Sequence, residues 1–110
     1  MQPGTVSVTG RLPPEVVQRI VRQSFGRLRL CYEQGLASNP ALAGDVSTKF
    51  VIGAKGDVTA VSDGGSKLAD PAVVRCVQSA FRNLSFPEPE GGTVTVVYPV
   101  HFEPAPKPAP

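Results

Sequence analysis

The 110-residue sequence has no tryptophan, a single histidine, two cysteines and one methionine. One His and two Cys fall short of the roughly four ligands that an all-protein zinc site requires. The cysteines do not form a CxxC pair, which excludes the usual dithiol redox motif. No apolar run reaches about 18 residues, so no segment reads as a membrane-spanning helix. Charge of one sign is missing too: 11 Lys+Arg face 9 Asp+Glu, a net +2. That balance is too even for a dedicated nucleic-acid binder, and Lys49-Phe50-Val51-Ile52-Gly53 does not reproduce the ribonucleoprotein aromatic motif. Gly64-Gly65-Ser66-Lys67 lacks the GxxxxGK[ST] spacing of a phosphate loop. Met1-Gln2-Pro3-Gly4 opens no charged-then-apolar leader. What remains is a hydrophobic fraction of 41%, a charged fraction of 18% and enough chain for one globular domain.

Twelve prolines and eleven glycines punctuate the chain. Val6 and Val8 alternate with polar neighbours, a short strand ahead of Gly10. Pro14 suits a first helical turn, and Val17, Ile20, Val21, Ser24, Leu28, Cys31 and Gly35 recur at helical steps. They predict one long amphipathic helix ending near Asn39, where Pro40 disfavours helical geometry. Gly26 is its weak point. From Gly44 the period changes to two, with Val46, Thr48, Phe50 and Ile52 on one side, a half-buried strand. Ala54-Lys55-Gly56-Asp57 turns it into a hairpin with Val58–Ser62. Asp70-Pro71 is a helix start, a capping carboxylate followed by proline at the first helical position. Val73, Val74, Val77, Ala80, Phe81 and Leu84 form that helix's apolar stripe, with Phe86-Pro87-Glu88-Pro89 closing it and Gly91-Gly92 as a turn. A last strand over 93–102 points Val94, Val96, Tyr98, Val100 and Phe102 inward.

The resulting fold class is α+β: two helices on one face of a three-stranded antiparallel sheet, in the order helix-strand-strand-helix-strand. A short N-terminal strand is an optional addition. The chain divides into a lead-in over 1–9, a domain over 10–103 and a Pro-rich tail over 104–110, extended by its prolines. The economical strand order leaves the last strand at the sheet's margin, where Pro99 is tolerated. An exposed edge of that kind is a template for pairing.

Cys31-Tyr32-Glu33, Gly44-Asp45-Val46, Phe50-Val51-Ile52, Gly56-Asp57-Val58, Ser66-Lys67-Leu68-Ala69-Asp70, Cys76, Phe86-Pro87-Glu88-Pro89 and Tyr98-Pro99-Val100-His101-Phe102 follow one another in order. Together they resemble the AgmX/PglI-type C-terminal domain, a relative of TonB C-terminal domains, over about residues 10–103. The resemblance implies a periplasmic domain at the end of a longer, inner-membrane-anchored protein. It also implies a non-enzymatic role in an envelope-spanning, gliding-motility-type machine, binding an outer-membrane or periplasmic protein segment by strand addition and transmitting force. No cofactor, metal or nucleic acid is expected. Contact with the membrane is expected only through a parent-protein helix outside this chain, and the domain is expected as a monomer or a weak edge-paired dimer. The Pro-rich tail departs from the family pattern.

By composition alone, Cys31 and Cys76 could be buried thiols or one pair. The periplasmic setting that the resemblance implies favours a disulfide, worth about 4 kcal/mol in the chain-entropy model. The expected partner edge is the outer side of the last strand, with Thr93, Thr95, Val97, Pro99 and His101; Pro99 lacks a donor, so a partner's register should skip or bulge there. His101 has no nucleophile beside it in the sequence pattern and reads as a surface residue or a peptide contact. The alternative docking face is the stripe of Arg19, Arg22 and Arg29 on the first helix, suited to an acidic partner or lipid headgroups. A remote alternative is an acylphosphatase-like enzyme using Arg11 and Asn83, weakened by Leu12-Pro13-Pro14 where an anion cradle would need N–H donors.

Overall fold

Alternating apolar residues make β3 (Gly44–Ile52) and β5 (Glu90–Phe102) the centre of the molecule. A computed structural model describes residues 2–104, and the tail over 105–110 lies outside the described residues. The remaining elements are β1 (Gln2–Pro3), β2 (Ser7–Arg11), α1 (Pro14–Gln23), α2 (Phe25–Ser38), β4 (Val58–Asp63) and α3 (Pro71–Arg82). The class is α+β, with all strand pairs antiparallel. Across the sheet the order is β1 and β2, then β5, β3 and β4.

One face of the sheet meets the helices. Val46, Phe50, Ile52, Val94, Val96, Tyr98, Val100 and Phe102 are fully buried there, as their two-residue period requires. Phe50 stacks on Phe81 and Phe86 at ring-centroid distances of 5.2 and 5.8 Å, tying β3 to α3 and to the loop behind it. Cys31 and Cys76 form a disulfide that joins α2 to α3. Asp70 caps α3 by accepting from the backbone N–H groups of Ala72 and Val73 at 3.0 and 3.2 Å.

Four expectations need correction. The long first helix is two helices, because at Ser24 the backbone leaves helical geometry (φ −103°, ψ 7°) and its N–H reaches back three residues to Val21. The last helix stops at Arg82, one turn earlier than its closing Phe86-Pro87 motif suggests. Gly91 and Gly92 are not a separating turn but lie inside β5, at φ 77° and 118°. There they absorb the bulge opposite the step from Thr9 to Arg11. Most consequentially, the last strand is not a margin of the sheet. The lead-in is part of the sheet, and its two strands cover the outer side of β5.

Candidate functional site

The geometry of the β5 outer edge follows from what β5 pairs with on each side. Toward β3 nine consecutive residues are in register, from Gly44 opposite Phe102 to Ile52 opposite Val94. Toward the lead-in the ladder is broken. β1 pairs at two positions, Gln2 with His101 and Pro3 with Val100. β2 pairs at four: Ser7 with Val97, Val8 with Val96, Thr9 with Thr95, and Arg11 with Glu90.

Between β1 and β2 the register shifts by one residue, between Pro99, which still faces Gly4, and Val97, which faces Ser7. Proline has no N–H to give the ladder. Its carbonyl remains, and the Gly4 N–H donates to it at 2.9 Å. The strand beside Pro99 is the chain's own N-terminal segment.

β2 is shallowly held. Ser7, Thr9 and Arg11 are exposed, and only Val8 is half-buried, with Val6 just before it also packed against the core. Gly10 sits at φ 133°, and a Cβ there would meet Val94 Cγ2 at 2.8 Å, so glycine is required both by the backbone and by the space. Immediately after it, Gly10, Arg11, Leu12, Pro13, Pro87 and Glu90 border a cleft of about 610 Å³ where β2 hands over to α1.

The expected site residues divide accordingly. Thr95, Val97 and Pro99 are half-buried, and Thr93 and His101 are exposed. Their side chains lie on the sheet face opposite the helices, since their neighbours Val94, Val96, Tyr98 and Val100 point into the core. His101 is not a lone surface residue. Its Nδ1–H donates to Asp45 Oδ1 at 2.7 Å across the β3–β5 pair, and Nε2 lies 3.6 Å from Glu103 Oε2. Sequence reading missed this pair, although Asp45 opposite His101 follows once the β3–β5 register is known.

Arg19, Arg22 and Arg29 are all exposed on the helix layer. The break at Ser24 separates Arg29 from the other two, so they do not share one continuous stripe. Among the described residues the only ion pairs are those of His101, leaving these guanidiniums without a carboxylate partner. Arg11 ends β2 beside the cleft, while the Asn83 amide donates to the Ser79 carbonyl at 3.0 Å at the end of α3. The two side chains proposed for an acylphosphatase-like site thus serve different ends.

Buried hydroxyls are the remaining polar groups of the core. Tyr32 donates to the Leu42 carbonyl. Burial pushes the Tyr32 phenol up from its ordinary value, and the Glu103 carboxylate adds to that. Tyr98 and Thr48 face each other in register on the helix side of the sheet, and neither hydroxyl has a hydrogen-bond partner. Burial raises the Tyr98 pKa, against a smaller opposing effect of the Arg22 charge.

No family model matches the chain, and no curated protein matches it. Among solved structures it is similar to the C-terminal domain of Helicobacter pylori TonB, determined in solution by NMR. The identity is 22% over 77% of this chain and 84% of that one, with a TM-score of 0.49. No AgmX/PglI-type domain is among these matches.

Proposed function

We propose that this is a non-enzymatic protein-interaction domain that receives an extended partner segment as a strand on β5, in exchange for its own residues 2–11. The observation that carries the reading is the contrast between the two sides of β5. One side has an unbroken nine-residue register; the other is closed by short strands with a register shift between Pro99 and Val97, a bulge at Gly91-Gly92 and three exposed side chains in β2.

Exchange suits this geometry physically. An incoming strand restores the backbone hydrogen bonds that the departing one gives up, so most of the ladder energy cancels. What the lead-in loses is chiefly the partial burial of Val6 and Val8, about 1 kcal/mol each. A competitor therefore needs a residue at the Val8 position that fits beside Val96 at least as well, and backbone that tolerates the donor missing at Pro99. The domain is proposed to act in the periplasm as part of a longer inner-membrane-anchored protein, where a load-bearing contact of this kind would transmit force between envelope layers.

The test is a titration of isotope-labelled chain with a peptide of the sequence of residues 2–11, monitored by backbone amide shifts. Tethering gives the internal strand a local concentration in the millimolar range, so the native chain should respond weakly. A Val6→Ser/Val8→Ser chain should bind the peptide about tenfold or more tightly. Shifts should gather on 7–11 and 90–102. Shifts confined to the helices, or none in the loosened variant, would end the proposal.

A further inference from the structure

The cations of this chain are sorted by type and by layer. Six of its seven arginines lie in the helices: Arg19, Arg22, Arg27, Arg29, Arg75 and Arg82. The three lysines among the described residues lie outside the helices, at positions 49, 55 and 67. The same helices hold only two acidic residues, Glu15 and Glu33. The other seven carboxylates lie in the strands and loops. The molecule is thus basic on the helix layer and acidic elsewhere, although its overall charge is nearly balanced.

The arginines also keep off the core-facing sides of their helices. On α3, Val73, Val77, Ala80 and Phe81 face the core, and Arg75 and Arg82, seven residues apart, fall on the opposite side of the same helix. On α1 the buried pair is Val17 and Val21, with Arg19 and Arg22 on the outer side. On α2, Leu30 falls on the side away from buried Leu28, Cys31, Tyr32 and Gly35, with Arg27 and Arg29 on the two flanks of the helix beside it. All six guanidiniums are exposed, and among the described residues none has a carboxylate within ion-pairing distance. Leu30, at 59% exposure, is the exposed large hydrophobic side chain among the described residues, and it stands amid them.

We infer that the outer face of the α1–α2–α3 layer docks on an anionic phospholipid surface, with guanidiniums on the phosphates and Leu30 entering the interfacial region. Several features favour a bilayer over an acidic protein patch. The charges are spread over three helices of one layer rather than gathered at a pocket, which matches a planar, delocalised field. Guanidinium binds phosphate through paired N–H donors, a geometry that lysine does not offer. A solvent-exposed leucine in the middle of the array gains from the interface and from nothing else on this face. The face is also opposite the open side of the sheet, so membrane docking and strand exchange on β5 do not compete for the same atoms.

The experiment is co-sedimentation of the full chain with vesicles of phosphatidylglycerol and phosphatidylcholine, against vesicles of phosphatidylcholine alone. Binding is expected to the mixed vesicles only, and to fall steeply between low and physiological salt. Each arginine near the surface contributes up to about fivefold in partitioning, so an Arg27→Gln/Arg75→Gln/Arg82→Gln chain should lose well over tenfold. A Lys49→Gln/Lys55→Gln/Lys67→Gln chain removes the same charge from outside the helices and should bind as the native chain does. Far-ultraviolet circular dichroism checks that both variants are folded, and Leu30→Ser should weaken binding several-fold. Equal losses in the two triple variants would reduce the effect to net charge and overturn the inference. So would binding to neither vesicle, binding to both alike, or release from mixed vesicles by polyglutamate at concentrations that leave ionic strength unchanged, which would assign the face to an acidic protein.

Discussion

β5 has two neighbours that it treats very differently. Against β3 it runs in register without a break and shares the aromatic core beneath. Against the lead-in it tolerates a register shift between Pro99 and Val97 and a bulge at Gly91-Gly92, and over residues 4–11 the side chains packed on the core are Val6 and Val8. Both contacts are antiparallel ladders, so hydrogen bonding alone does not separate them. Side-chain burial does. A strand held by backbone bonds and little else is exchangeable, whereas one whose alternate residues fill a core is permanent.

The comparison can be broken most forcefully on the β3 side. Phe50→Ala removes a fully buried ring that stacks on Phe81 and Phe86, and should cost about 3–5 kcal/mol of stability. Denaturant titration with an unchanged slope would register it; a loss below about 1 kcal/mol would mean that β3 is not the fixed partner. Replacing both Cys31 and Cys76 with serine opens the link between α2 and α3 and should cost about 2–4 kcal/mol. If instead the lead-in detached first, amides 7–11 would lose protection alone, and the helices would prove less dependent on the bond than their positions suggest.

Gly10→Ala acts on the other side. The left-handed backbone and the close Val94 contact penalise it, yet the chain can escape by releasing β2. The global loss should therefore be capped at the cost of that release, about 2 kcal/mol from the two valines. Hydrogen exchange at 7–11 should accelerate while 46–52 stays protected. A larger global loss would show that β2 is integral to the fold.

The smallest effect concerns the end of β4. Asp63 accepts from the Ser66 N–H at 2.9 Å and the Gly65 N–H at 3.3 Å. Its carboxyl is held below the ordinary value first by the Ser66 hydroxyl and then by those N–H groups. A depressed folded-state pKa means that the contribution is present above the unfolded value of 3.8 and is lost as pH falls through the folded value. Asp63→Asn should thus lower stability slightly at pH 7 and make no difference once the native carboxyl is protonated. Because the side chain is exposed, solvent screens most of the effect.

Much of this was legible in the sequence, for identifiable reasons. The Asp70-Pro71 start, the hairpin at 54–57 and the inward set from Val94 to Phe102 rest on local chemistry that the fold keeps. The break at Ser24 was not legible, because the apolar spacing from Val21 to Leu28 runs through it as in a continuous helix. The closure of the β5 edge was the consequential miss. Val6 and Val8 marked a strand, but two valines do not say where a strand docks, and the outer sides of β4 and β5 were both open to it. The Asp45–His101 pair required the register between strands 56 residues apart, which no short-range pattern carries.

The Cys31–Cys76 bond also measures the chain. It fastens positions 45 residues apart into a covalent ring that contains β3 and β4. Stretched between its ends, the oxidised chain should come up short of the reduced one by roughly 150 Å, the extended length of those 45 residues less the 5.6 Å already spanned between the two Cα atoms. Under tension, the lead-in and β5 can pay out while β3 and β4 remain looped, so extension itself reports which half of the sheet has given way.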